Sequence, residues 1–105
     1  MKLPDSLVAY MSRALLGEIS SSVRAIALSL DDDGTLTIRS YLDRPPTEED
    51  QEIFEVVATN FSSAIGIDLH TLIARIELEC QFSTMPFRDL EPLDGFIYAR
   101  REIYD

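Results

Sequence analysis

The chain has 105 residues, 46% of them hydrophobic and 27% charged, with nine Lys+Arg against nineteen Asp+Glu for a net charge of −10. That length holds one core and no second domain, so residues 1–105 read as a single domain, and the composition is that of a globular protein and not of a disordered one. The acidity excludes phosphate-driven nucleic-acid binding and attachment to anionic membranes, and no apolar run approaches the roughly 20 residues of a membrane helix.

The first element is a helix. Pro4, Asp5 and Ser6 supply its start signal, Leu7, Val8, Met11, Leu15 and Leu16 recur at helical spacing, and Gly17 suits its end. This N-terminal stretch has no unbroken apolar segment and reads as neither secretory signal nor transit peptide. A single cysteine, Cys80, excludes an internal disulfide and fits a reducing, cytoplasmic setting.

Alternation takes over after Ser20, Ser21 and Ser22. Ile26, Leu28 and Leu30 share one face of a first strand, and Leu36 and Ile38 share one face of a second. Between them, a three-residue loop of Asp32, Asp33 and Gly34 places the glycine at the left-handed position of a bulged hairpin. This register sets Leu30 against Leu36 and Leu28 against Ile38, so the apolar faces coincide; a two-residue turn would not achieve that. Pro45 and Pro46 then break the chain. Thr47 reads as an N-cap, with Asp50 at capping-box spacing and Glu48, Glu49 and Asp50 where the helix dipole favours negative charge. Ile53, Phe54, Val57, Phe61, Ala64 and Ile65 form the buried stripe of this second helix, which ends at Gly66.

Leu72, Ala74, Ile76, Leu78 and Cys80 alternate with Ile73, Arg75, Glu77 and Glu79 as a third strand. Residues 83–94 form a long connection, and a last strand runs over about 95–103. Its facing is ambiguous, because Phe96 and Tyr98 compete with Ile97, Ala99 and Ile103 for the interior. The order α-β-β-α-β-β, with sequential strands usually pairing, predicts an α+β fold: a four-stranded antiparallel sheet with two helices on one face. The other face would carry Thr37, Arg39, Tyr41, Arg75, Glu77 and Glu79, open to solvent or to a partner.

Little in the sequence points to catalysis. His70 is the single histidine, and at the start of the third strand it reads as a surface or capping residue. Cys80 closes an apolar strand face, where a structural role outweighs a nucleophilic one. Asp31, Asp32 and Asp33 lack the alternating spacing and distal glutamate of a calcium loop. The glycines at 17, 34, 66 and 95 stand alone, so no phosphate-binding loop is present. No cofactor and no metal is expected. A carboxylate-based hydrolase is conceivable only because an acidic surface supplies acid pairs freely.

The charge is unevenly placed. Residues 31–55 hold nine acids (Asp31, Asp32, Asp33, Asp43, Glu48, Glu49, Asp50, Glu52 and Glu55) against Arg39 and Arg44, a net of −7. Turns and helix starts favour acids on local grounds, which accounts for Glu48, Glu49 and Asp50 but not for the whole cluster. These nine, with Tyr41 as an aromatic anchor, are the candidate partner-binding residues.

The size, the acidity and the pattern VRAIALSLDDDGTLTIRSYLDRPPTEED, followed by a helix, then IARIELEC and a terminal FIYARREIY, resemble the small acidic immunity proteins of bacterial contact-dependent growth inhibition and related polymorphic toxin systems. The resemblance implies a cytoplasmic protein that binds one cognate toxin domain, commonly a nuclease, and blocks its active site or an exosite; a nuclease cleft is basic because it must attract phosphate, which suits an acidic, non-enzymatic binder, monomer or dimer. A different class remains open beside it: a regulatory or small-ligand-binding α+β module that self-associates through its open sheet face.

Overall fold

The computed structural model describes residues 3–102. Its elements are α1 (Asp5–Ala14), β1 (Val23–Leu30), β2 (Thr35–Leu42), α2 (Glu48–Ala64), α3 (Ile67–Leu72), β3 (Arg75–Phe82), a 3-10 turn at Phe87–Asp89 and β4 (Gly95–Ala99). The four strands form one sheet in the order β3-β2-β1-β4.

The β1–β2 hairpin has the expected register, with Leu30 opposite Leu36 and Leu28 opposite Ile38. Asp31 closes the loop by donating its N–H to Thr35 O and accepting from Gly34 N–H, each at 3.0 Å. Gly34 has φ +86°, the left-handed conformation, and an added Cβ would lie 2.9 Å from the Ala74 nitrogen. Only glycine serves both the turn and this close approach.

The sheet is mixed, not wholly antiparallel: β3 runs parallel to β2 from Thr35–Arg75 to Leu42–Phe82 without a break in register. The reason is the length of α2. Its 17 residues extend roughly 25 Å at 1.5 Å per residue, which matches the span of an eight-residue strand. The helix therefore returns the chain to the hairpin end of the sheet. The short α3 follows, and β3 starts beside the start of β2, as a helical crossover between parallel strands requires. Residues 67–72, including Leu72 and His70, are thus helical and not the beginning of the third strand. Gly66 is the N-cap of α3, while α2 ends on Ile65.

β4 pairs with β1 and not with β3. Tyr98 sits opposite Ile26 and Phe96 opposite Ala27, so β4 carries one extra residue, a bulge, between them. The bulge reverses the facing: Tyr98 packs on the helix side and Phe96 on the other. The two sets that compete for the interior are therefore mixed, with Ile97 and Tyr98 against the main core and Phe96 on the other face. The described strand ends at Ala99; an extension to Ile103 falls outside the described residues.

Two cores result. The main one joins Leu7, Met11 and Leu15 of the first helical region to Phe54, Val57 and Phe61 of α2 over Ile26, Leu28, Leu36, Ile38 and Leu42 of the sheet. Both long helices therefore cover one face, as the two amphipathic stripes require. On the other face the 83–94 connection folds back. Leu90 is buried with Ala25, Ala27 and Tyr41, and Phe87, Leu93 and Phe96 pack around them. The Phe87 and Phe96 rings lie 4.8 Å apart. The two alanines leave the space that these larger side chains fill.

Candidate partner-binding surface

Asp50 sits in the first turn of α2 and is only 3% exposed. Thr47 Oγ1 accepts the Asp50 N–H at 3.3 Å, and Asp50 Oδ2 accepts the Thr47 N–H at 2.7 Å, a reciprocal capping box. Arg44 closes on the same carboxylate with both arms of its guanidinium, Nη1 to Oδ2 at 2.7 Å and Nη2 to Oδ1 at 2.9 Å. Hydrogen bonding from Arg44 is the main cause, and that from Thr47 a further one, of a carboxyl held at about 2. Asp50 thus organises the helix start from within and offers no surface.

Tyr41 is likewise removed from the exterior. It is 3% exposed, its ring lies against Phe96, and its hydroxyl donates to Glu91 O at 2.7 Å. The sheet face expected to be open is covered over β1 by residues 83–94. What remains uncovered toward β3 is largely self-neutralised: Arg39 Nε lies 2.7 Å from Glu79 Oε1.

Asp43 is paired with Arg100 at 2.8 Å. At the hairpin tip, Asp33 accepts the Thr35 N–H, and hydrogen bonding to Thr35 lowers its carboxyl from the ordinary value. Its approach to Arg75, 3.8 Å between two exposed groups, adds little. Among the described residues, Asp31, Asp32, Glu48, Glu49, Glu52 and Glu55 are exposed and take part in no ion pair. Four arginines (Arg24, Arg39, Arg44 and Arg100) are instead taken up in close internal pairs. The positive charge is spent holding the fold together while the surplus negative charge points outward.

The six free acids do not form one patch. Asp31 and Asp32 mark the hairpin end of the sheet, and Glu48 and Glu49 lie beyond the far end of β2, roughly 25 Å away by strand rise. Proximity in sequence does not survive the length of the hairpin. The larger group follows α2, where Glu48, Glu52 and Glu55 fall at i, i+4 and i+7 on the outward side, beside Glu49 and an exposed Val56. This acidic face borders a groove of about 460 Å³ between α2 and the 73–76 segment. Thr59 belongs both to the groove and to the shallow depression that Glu52, Glu55 and Val56 line.

His70 lines the same groove from α3, and Cys80 lies in β3 half-buried against the main core. Among the described residues, no group of His, Cys, Asp or Glu is placed to hold a metal ion. No helix there is long and apolar enough to cross a membrane. Val56 and the groove escape sequence reading, because a lone valine on a polar helix face carries no pattern and the groove exists only once β3 lies beside β2.

No curated protein matches the chain. The family model of the MafI2 immunity protein matches residues 4–102, nearly the whole domain, including both long helices and every strand of the sheet. A small acidic chain whose free carboxylates face outward along one helix, and whose sequence fits that model over residues 4–102, belongs to the MafI2 immunity protein family.

Proposed function

We propose that this chain neutralises a cognate toxin domain by binding it, without catalysis of its own, and that the acidic outer face of α2 is the principal contact. The observation that carries the reading is the set of unpaired carboxylates Glu48, Glu49, Glu52 and Glu55 along one helix, in a chain of an immunity family. The toxin is a nuclease. Such an enzyme concentrates positive potential in its cleft to attract phosphate, and an inhibitor presenting a row of carboxylates uses the same field to speed encounter and reject other partners. Val56, 47% exposed among these acids, supplies an apolar centre of the kind that fixes register in a charged interface. Asp31 and Asp32 form a second, smaller acidic contact or a steering charge. The chain acts in the cytoplasm, where the nucleic acid that it protects lies.

Co-expression tests this directly. Production of the cognate toxin domain arrests growth, and the chain restores it. The triple substitution Glu48→Lys, Glu52→Lys, Glu55→Lys abolishes the rescue while leaving a folded protein. Full rescue by the triple variant refutes the assignment of the contact to α2.

A further inference from the structure

Of residues 43–53, only Asp50 is buried, so the start of α2 gains little from the core, which engages the helix from Phe54 onward. Glu48, Glu49 and Glu52, three of the acids assigned to the toxin, lie in this thinly anchored stretch. Their placement rests on polar contacts. The Arg44 fork that holds Asp50 also reaches back, with Nε donating to Ser22 Oγ at 3.1 Å. Beside it, the Asp43 N–H donates to Ser22 O at 3.0 Å. The first turn of α2 is thereby tied to the turn at Ser21 and Ser22, just ahead of β1.

That turn and Asp43 are themselves fixed from the far end of the chain. Arg100, immediately after β4, donates through Nη1 to Ser21 O at 2.7 Å and to Asp43 Oδ2 at 2.8 Å, and through Nη2 to Glu102 Oε2 at 2.9 Å. Its own N–H donates to Arg24 O at 2.8 Å, which seats its backbone on β1. Glu102 is seated too, because the buried Arg24 grips both of its carboxylate oxygens. A planar guanidinium serves several acceptors in fixed directions, so Arg100 sets the relative place of the segments that it joins.

The charge of Arg100 has the wrong sign to attract a basic partner. Removing it leaves the chain more negative and favours encounter with a nuclease cleft. A loss of affinity on its removal therefore comes from geometry and not from charge.

We propose that Arg100 is a positioning residue for toxin binding: by fixing Asp43 and the turn at Ser21 and Ser22 it holds the anchor of the first turn of α2, and so sets how Glu48, Glu49 and Glu52 meet the toxin. This rests on the immunity reading above and adds to it a role for the segment after β4. The test compares the native chain with Arg100→Met by two measurements. In the chain alone, residue-resolved amide exchange at residues 51–53 quickens by about threefold or more, while the β1–β2 hairpin stays within about twofold. With a catalytically inactivated toxin domain, the variant dissociates about three- to tenfold faster and associates at an equal or higher rate. Arg100→Lys, which keeps the charge but not the fork, falls between the two proteins. Asp43→Asn, at a side chain 42% exposed, repeats the faster dissociation, and the double variant is no worse than either single one. Unchanged dissociation in Arg100→Met, or exchange that quickens equally across the sheet, overturns the proposal and leaves the immunity reading standing. An effect of Asp43→Asn that Arg100→Met does not share makes Asp43 a direct contact and overturns it as well. Absence of binding by the native chain removes the immunity reading and this role with it.

Discussion

Substituting Asp50→Asn keeps the size and one acceptor oxygen of the side chain but removes the charge that faces Arg44. In the folded chain that carboxyl sits at about 2, against 3.8 for an unperturbed one, which corresponds to about 2 kcal/mol at roughly 1.4 kcal/mol per pH unit. The value is not discounted heavily for solvent, because the Asp50 side chain is 4% exposed even though that of Arg44 is 40% exposed. The folded-state value is depressed, so the contribution is fully present above about pH 4 and is lost as pH falls through about 2. Urea unfolding of the two proteins therefore gives a gap of about 2 kcal/mol at neutral pH. It narrows below about pH 4 and is nearly closed by about pH 2, with m unchanged. A gap that stays constant across this range, or one below about 0.5 kcal/mol at neutral pH, refutes the assignment of Asp50 to the helix start as an ionised partner of Arg44.

Three further substitutions probe the scaffold that carries the site. Gly34→Ala forces a side chain into the left-handed region and against the Ala74 backbone, and costs about 2 kcal/mol in chemical denaturation. Tyr41→Phe removes a buried hydroxyl and leaves Glu91 O without its donor, for a loss of about 1–2 kcal/mol. If Tyr41 were a surface anchor, that substitution would instead weaken toxin binding at unchanged stability. Arg24→Met unlinks β1 from Glu102 and from Ser83 O, both bonded within 2.8 Å at a site where the Arg24 side chain is 7% exposed. It destabilises by about 3 kcal/mol, read as a lower thermal midpoint.

The hairpin was legible to the residue because its information is local. Leu28, Leu30, Leu36 and Ile38 fix the faces, and Gly34 fixes the loop that makes those faces coincide. The second helix was equally plain from Thr47, Asp50 and its apolar stripe. The direction of β3 was misread because sequential pairing was given precedence over the geometry of the crossover. A helix as long as the strand that precedes it returns the chain to that strand's start, and this favours a parallel neighbour. α3 escaped notice because Leu72, read with Ala74 and Ile76, also satisfies the two-residue period of a strand. The acids of α2 stood out by their residue types, and the fold leaves Glu48, Glu49, Glu52 and Glu55 exposed. The burial of Tyr41 and Asp50 was not legible, because it depends on partners outside the local pattern, the 83–94 segment for one and the Arg44 fork for the other. The single acidic patch failed for the same reason. Residues 31–55 are contiguous in sequence, but an eight-residue strand holds the two ends of the cluster apart.

Neutralisation through α2 requires that its carboxylates guide the toxin to this chain. The decisive quantity is the association rate constant with the inactivated toxin domain, measured for the native chain and for Glu48→Gln, Glu52→Gln, Glu55→Gln across ionic strength. The rate of the native chain falls about tenfold or more between roughly 25 mM and 300 mM salt, and the variant starts lower with a visibly shallower slope. Equal slopes for the two proteins, or a native rate indifferent to salt, would contradict it.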